Sequence, residues 1–198
     1  MRIFLILISL LSPWAFAQGP IMVFGDSLSA AYGLNEEQGW AYLLQDRLSD
    51  SGDEREVINL SVSGETTGGG WARLPDALAV YRPSILMLEL GANDGLRGLS
   101  VKRMQRNLTN MVSVAQDSGA QVLMLGMRLP PSYGKRYVEA FEAVFPRVAA
   151  EQNVELMPFF LESIALRDEL FQDDRLHPTA PAQPILLDEV WRFLEPML

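Results

Sequence analysis

The chain has 198 residues, of which 48% are apolar, and it contains no repeat or low-complexity tract, so its length and composition predict one globular domain. A formal net charge of −9 and the lack of a basic cluster argue against a nucleic-acid-binding protein and against electrostatic capture by anionic membranes. The chain has no cysteine, which excludes disulfide bonds, thiolate nucleophiles and cysteine-based metal sites.

The first 17 residues have the pattern of a secretory signal peptide. Arg2 supplies a positive charge, an apolar run follows over residues 3–11, and residues 15–17 have the small-x-small form of a cleavage site. The apolar run is too short to span a membrane. We therefore predict export to the periplasm or beyond, cleavage near Ala17, and a single mature domain over residues 18–198 without a membrane span.

Beyond this segment, apolar runs and amphipathic stretches alternate along the chain. The runs predict strands at residues 21–24, 56–60, 85–90, 121–127 and 154–157. Helical spacing predicts helices at 40–48, from near Trp71, at 101–115, at 137–148 with a kink or split at Pro146, at 161–170, and from near Pro181 or Pro184. Because parallel strands need helical crossovers, we predict an α/β fold, a flavodoxin-like three-layer α/β/α sandwich with a five-stranded parallel sheet in the order 2-1-3-4-5.

The first predicted strand ends at Gly25, and Asp26 and Ser27 follow it. Asp and Ser often start helices, so Ser27 is predicted where a strand gives way to a helix. Ligands of open α/β sheets bind at this carboxyl edge, and a hydroxyl there can serve as a nucleophile. The alternative is that Asp26 and Ser27 only cap the helix.

Four loops follow predicted strand ends and therefore share this edge. They carry Ser27, Gly64, Asn93 and the segment 173–177. His177 is the only histidine, so a serine nucleophile with a histidine base must use it. Asp174 lies three residues earlier, which places it on the same side of a turn, where it can fix the imidazole tautomer. Backbone N–H groups of Ser27 and Gly64 and the Asn93 amide are candidate donors to an oxyanion, although ordinary turn geometry explains each of them alone.

Four sequence blocks in this order resemble those of the SGNH or GDSL hydrolase family. They are Gly25-Asp-Ser-Leu-Ser29, Gly64 within residues 61–66, Gly91-Ala-Asn-Asp94 and Asp174-Arg-Leu-His-Pro178. Residues 91–98, 128–134 and 172–178 are most similar to the bacterial periplasmic branch of thioesterases, lysophospholipases and arylesterases. Glu65 and Ala92 depart mildly from the family pattern.

The resemblance implies the SGNH hydrolase fold and a serine esterase that acts on carboxylic esters and thioesters through an acyl-enzyme. It assigns Ser27 as the nucleophile, His177 as the general base and acid, and Asp174 as the group that orients His177. Ser27, Gly64 and Asn93 would hold the oxyanion. No metal or cofactor is implied, the expected partner is a small acyl ester or thioester, and we expect a monomer.

The substrate contacts are predicted from apolar residues beside this edge. Leu74, Pro75, Leu129, Pro130 and Tyr133 could form a shallow groove for an acyl chain or aryl ring, or they could simply be packed loop residues.

Three alternatives remain open at this point. A carbohydrate O-acetylesterase would keep the chemistry but need a short, polar acyl pocket. A non-catalytic flavodoxin-like binding module would use residues 61–70 as a phosphate loop, but it gives no reason to pair Asp174 with His177. A metal-dependent hydrolase would have to rely on carboxylate ligands, which suit magnesium or calcium better than zinc.

Overall fold

The computed structural model describes residues 19–198, so the predicted signal peptide lies outside the described residues. The helices and strands are, in order, β1 (Ile21–Gly25), α1 (Trp40–Asp50), β2 (Val57–Asn59), α2 (Thr67–Tyr81), β3 (Ile85–Glu89), α3 (Ala92–Leu96), α4 (Val101–Asp117), β4 (Gln121–Leu125), α5 (Lys135–Glu142), α6 (Val144–Gln152), β5 (Glu155–Met157) and α7 (Gln183–Leu194). Short 3₁₀ helices lie at Glu36–Gln38, Pro131–Tyr133, Asp168–Leu170, Ala180–Ala182 and Glu195–Met197.

The five strands form one parallel sheet in the order β2-β1-β3-β4-β5, which confirms the predicted fold class and topology. Every residue of β1 and β3 is buried, as expected for central strands covered on both faces. Two groups of helices cover the sheet and form the outer layers. In one group α1 contacts α7, and in the other α4 contacts α2 and α6. The largest fully buried side chains are Trp40, Phe24, Phe141, Phe145 and Phe160.

The predicted break in the helix around Pro146 is confirmed. α5 ends at Glu142 and α6 begins at Val144, so Pro146 lies in the first turn of α6. A proline is tolerated there because the first N–H groups of a helix have no intrahelical acceptor.

Two predicted helices are wrong. The helix predicted to start at Ser27 is absent, because residues 27–33 form successive turns in which Ala31 has a φ of 54°. Residues 160–166 also form turns, in which Ile164 N–H donates to Leu161 O and Arg167 N–H donates to Ile164 O. In this second segment Phe160 and Ile164 are fully buried, while Leu166 is 98% exposed.

Smaller corrections concern where elements begin and end. α2 starts at Thr67 instead of near Trp71, because the Thr66 hydroxyl accepts a hydrogen bond from Gly69 N–H and caps the helix. The predicted exit loop after β3 contains the short helix α3. Within residues 19–198, no helix combines the length and apolar character needed to cross a membrane.

Candidate active site

The nucleophile candidate, Ser27, lies just past the carboxyl end of β1, the second strand of the sheet order. Ala30 N–H donates to Asp26 O and Tyr32 N–H donates to Ser27 O, and these two bonds close a wide turn around the serine. The turn takes the place of the predicted helix start and holds the Ser27 side chain, which is half-buried, at the floor of a cleft.

The structure brings Ser27 and His177 together across 150 residues of sequence. His177 Nε2 lies 2.8 Å from Ser27 Oγ, within hydrogen-bond distance. His177 Nδ1 lies 2.7 Å from Asp174 Oδ2 on its other side. With the proton on Nδ1, Nε2 is free to accept the hydroxyl proton, so the three side chains have the arrangement of a serine nucleophile, its base and the group that orients the base.

Asp174 is held as a carboxylate by donors from its own loop. Asp174 Oδ1 accepts the backbone N–H groups of Leu176 at 2.9 Å and of His177 at 3.0 Å. Burial alone would raise the pKa of Asp174, but the hydrogen bonds from the His177 side chain and from these backbone groups lower it to about 2. The carboxylate is therefore ionised throughout the pH range in which an imidazole can act as a base.

Two residues that the sequence analysis missed support the histidine loop. The Gln172 side-chain amide donates to Tyr32 O at 2.8 Å and to Pro178 O at 3.0 Å, which ties the histidine loop to the serine turn. The Tyr32 ring lies against the imidazole, with ring centroids 4.4 Å apart. Neither residue stands out in a single sequence, because exposed Gln and Tyr side chains in loops usually have no such role.

The donor candidates Gly64 and Asn93 also lie at the cleft beside Ser27. Gly64 has a φ of +79°, a conformation that favours glycine. Asn93 Nδ2 donates one hydrogen bond to Asp26 Oδ2 at 2.9 Å, and its second N–H has no acceptor within residues 19–198. Arg97 Nη2 donates to Gly64 O at 2.9 Å, so it links the two loops.

A buried hydrogen-bond network fixes the glycine loop against α3. Asp94 Oδ2 accepts Thr67 N–H at 2.7 Å and Asp94 Oδ1 accepts the Thr67 hydroxyl at 2.6 Å. The Asn107 amide completes the network by donating to Thr67 Oγ1 at 3.1 Å. Since Asn93 and Asp94 are neighbours in α3, this network sets the distance between the Gly64 loop and the Asn93 amide.

An open cleft of about 700 Å³ leads to Ser27, and its wall is largely apolar. Of the predicted substrate contacts, Leu129 and Pro130 line this cleft. The apolar residues that complete the wall are Leu28, Leu96, Met127, Pro131, Phe159, Leu161, Ala165, Phe171 and Leu176.

Three of the predicted substrate contacts do not line this cleft. Leu74 is fully buried in the core on α2, and Pro75 follows it on the same helix, away from the cleft. Tyr133 turns its hydroxyl to Leu96 O at 3.1 Å and borders a separate surface groove. Sequence spacing could not separate these residues from true cleft residues, because α2 begins near the site but turns its apolar face to the sheet.

No group of three His, Cys, Asp or Glu side chains in the described part of the chain lies close enough together to hold a metal ion.

Comparison with known proteins identifies several close relatives. The chain is 49% identical over 189 residues to Esterase TesA of Pseudomonas aeruginosa, covering 96% of this chain and 94% of that protein. It is 47% identical to an arylesterase of Vibrio mimicus, covering 94% and 93%. It is 38% identical to the thioesterase 1/protease 1/lysophospholipase L1 of Escherichia coli K12, covering 93% and 87%.

Solved structures extend the comparison to three dimensions. The crystal structure of the psychrotrophic esterase EstA from Pseudoalteromonas sp., inhibited by monoethylphosphonate, superposes with a TM-score of 0.87 at 43% identity and covers 91% of this chain and 98% of that one. The model of the GDSL-like lipase/acylhydrolase family matches residues 23–183, from β1 to the start of α7. The chain therefore belongs to the GDSL-like lipase/acylhydrolase family and is an ester-hydrolysing enzyme.

Proposed function

We propose that Ser27, His177 and Asp174 form the catalytic triad of a serine esterase. The observation that carries this proposal is the continuous hydrogen-bonded chain from Ser27 Oγ through His177 to Asp174, with distances of 2.8 and 2.7 Å. Ser27 Oγ attacks the acyl carbonyl while Nε2 takes its proton. The tetrahedral intermediate collapses when the imidazolium returns that proton to the leaving alcohol or thiol, and an acyl-enzyme remains.

The second half of the reaction reverses these roles. His177 removes a proton from water, the hydroxide attacks the acyl-enzyme carbonyl, and the imidazolium then returns the proton to Ser27 as the acid leaves. In both halves, Ser27 N–H, Gly64 N–H and the Asn93 amide stabilise the negative charge on the carbonyl oxygen. All the reacting groups come from side chains and backbone of this chain.

We propose that the acyl group is a medium-length chain or an aryl group that lies along the apolar wall of the cleft. Leu129, Phe159 and Leu176 offer apolar surface there, and a cleft of about 700 Å³ has room for more than an acetyl group. His177 can return its proton to an alcohol or to a thiol leaving group, so the proposal includes both esters and thioesters. The names of the relatives, which include esterase, arylesterase, thioesterase and lysophospholipase, support this range.

The test is hydrolysis of p-nitrophenyl acetate, octanoate and palmitate by the mature protein and by Ser27→Ala, without added metal. We expect the highest kcat/KM on octanoate and a fall in kcat of about 10⁶ in the variant, since a triad acts as a unit. Strict preference for acetate would favour the O-acetylesterase alternative. Equal, very slow rates for wild type and variant would show that Ser27 is not the nucleophile.

Export and oligomeric state remain part of this proposal. The pattern of residues 1–17 supports an exported enzyme cleaved near Ala17, in the periplasm or outside the cell. Cell fractionation and N-terminal sequencing of the mature protein would test it. We also expect the enzyme to be a monomer, and light scattering would test this.

A further inference from the structure

A carboxyl group lies completely buried beneath the serine turn, and the proposed mechanism does not use it. It belongs to Glu89, the last residue of β3, which is paired in register with Gly25 of β1 and is 0% exposed. Glu89 Oε2 accepts Asp26 N–H at 3.2 Å and the Ser29 hydroxyl at 2.9 Å. Glu89 thus holds the backbone immediately before the nucleophile and the hydroxyl two residues after it.

The glycine that precedes Asp26 makes room for this carboxyl group. A Cβ atom on Gly25 would lie 2.6 Å from Glu89 Oε2 and 2.9 Å from Ser29 Oγ, closer than carbon atoms approach oxygen. The buried acid and the glycine therefore form one packed unit under the serine turn. Glycine at this position therefore leaves the space that the buried carboxyl group occupies.

The surroundings of Glu89 favour its neutral form. Among the described residues no cation pairs with Glu89, and its Oε1 is buried without a hydrogen-bond partner. The titratable group that acts on it is Asp26, which itself faces Asn93 of α3 and the His177 loop. Burial and the neighbouring Asp26 charge raise the pKa of Glu89 well above its ordinary value, while burial raises the pKa of Asp26 to about 6. Two buried carboxyl groups this close share one negative charge at neutral pH, and Asp26 carries it.

The charged member of this pair orients the oxyanion donor. Asp26 Oδ1 accepts Leu28 N–H at 3.1 Å and Oδ2 accepts Asn93 Nδ2 at 2.9 Å. Because a carboxylate only accepts hydrogen bonds, the Asn93 amide must turn its NH₂ group, and not its oxygen, towards Asp26. The second N–H of that group then points away from Asp26. Glu89 does not contact Asn93 itself. It acts through Asp26, because its Oε2 accepts the hydrogen bond from the Asp26 backbone N–H.

We propose that Glu89 is a positioning residue that works as a neutral carboxylic acid: it fixes Asp26 beneath Ser27, and Asp26 in turn orients the Asn93 amide of the oxyanion hole. The assignment rests on the proposed function, since it gives Glu89 a role in that same site.

The first test compares wild type with Glu89→Gln, whose side chain keeps the shape and stays neutral at every pH. On p-nitrophenyl octanoate at pH 7.5 we expect kcat and KM within threefold of wild type, because Gln can accept both hydrogen bonds that Oε2 accepts. A fall in kcat of more than 30-fold in a folded Glu89→Gln protein would overturn the proposal, since it would show that a negative charge is needed.

The second test reads the protonation state without using catalysis. Unfolded Glu89 releases its proton near pH 4.5, while the native acid keeps it, so rising pH destabilises wild type relative to Glu89→Gln. We expect the Tm of the variant minus that of wild type to increase by about 3–5 °C for each pH unit above pH 5 until the native acid ionises. A Tm difference that stays constant from pH 5 to pH 9 would overturn the neutral state, even if the esterase assignment itself failed.

The third test asks whether Glu89 acts through Asn93. Glu89→Ala leaves Asp26 N–H and the Ser29 hydroxyl without their acceptor, and we expect kcat to fall about 100-fold with KM within threefold. In an Asn93→Ala background the same substitution should lower kcat less than threefold, because the donor it positions is already absent. Equal losses in both backgrounds, in proteins that melt cooperatively, would overturn the positioning role. Full activity of Ser27→Ala would instead remove the proposed function and leave the Tm test standing.

Discussion

Replacing Asp174 with asparagine exchanges one carboxylate oxygen for an NH₂ group. We expect this to reverse the direction of the two hydrogen bonds that the His177 ring makes, to residue 174 and to Ser27. Asp174 Oδ1 accepts two backbone N–H groups, at 2.9 and 3.0 Å, so the amide oxygen of an asparagine must take that position. Its NH₂ then faces His177 Nδ1, which lies 2.7 Å from Oδ2 in the native protein. The imidazole must keep its proton on Nε2, where it donates to Ser27 Oγ and cannot accept the serine proton.

The expected loss follows from the cost of restoring the active tautomer. In the variant, a proton on Nδ1 no longer meets a carboxylate, so the charge-assisted hydrogen bond of the native protein, worth about 1.5–3 kcal/mol, is missing. The amide donor that faces it is also left unpaired, at a cost of about 1–3 kcal/mol. Together these costs raise the barrier by about 2.5–6 kcal/mol, so kcat should fall by about 10²–10⁴. KM should stay within threefold, since Asp174 lies behind His177 and outside the residues that line the cleft.

The assay is steady-state hydrolysis of p-nitrophenyl octanoate at pH 7.5, with a thermal melt of each protein. Asp173→Asn is the matched control, because it removes a carboxylate from the adjacent position and makes no hydrogen bond to His177 within the described structure. It should keep kcat within threefold. A loss of less than tenfold in Asp174→Asn, or an equal loss in Asp173→Asn, would refute the argument that Asp174 sets the tautomer.

Three further predictions follow from burial, backbone conformation and cleft contacts. Burial raises the pKa of Asp26 from 3.8 to about 6, so Asp26→Asn should gain about 2.4 kcal/mol relative to wild type between pH 4 and pH 7. Urea unfolding measures this, and a stability gap independent of pH would contradict it. Gly64→Ala and Gly98→Ala, both at positive φ, should each lose about 1–2 kcal/mol of stability, but only Gly64→Ala should lower kcat. Leu176 lines the cleft and is 44% exposed, so Leu176→Ala should weaken octanoate binding by about 1 kcal/mol, which is roughly fivefold in kcat/KM. Its kcat/KM on acetate should not change. Leu166→Ala, outside the cleft, should change kcat/KM on neither substrate.

The places where prediction from sequence succeeded share a physical basis. Buried parallel strands are short apolar runs, and their alternation with amphipathic helices leaves few topologies, so the strand order followed from residues 21–157 alone. The same topology places all strand-end loops at one edge, which is why Ser27, Gly64, Asn93 and His177 could be predicted to meet. The turn from Asp174 to His177 is local, so spacing alone was enough to pair them.

The failures concern contacts made at a distance. Residues 160–166 have helical spacing, but Phe160 N–H donates to Gly126 O of the neighbouring chain segment, and the backbone follows that contact instead of a helix. Leu74 has the character of a cleft residue, but its position on α2 places it in the core. The strand predicted at residues 85–90 contains Glu89, and an acidic residue in a buried apolar run is the signal in the sequence that indicates a special role.

The sequence by itself determined the sheet, the edge at which the proposed site lies, and the candidate residues for acyl transfer, because these depend on local pattern and on the connectivity of parallel strands. Only the tertiary structure decided how those residues are held: the turn in place of a helix at Ser27, the link from Gln172 to Tyr32, and the buried pair of Asp26 and Glu89. Such contacts join segments that lie up to 140 residues apart, and their geometry is set by the packing of the whole domain.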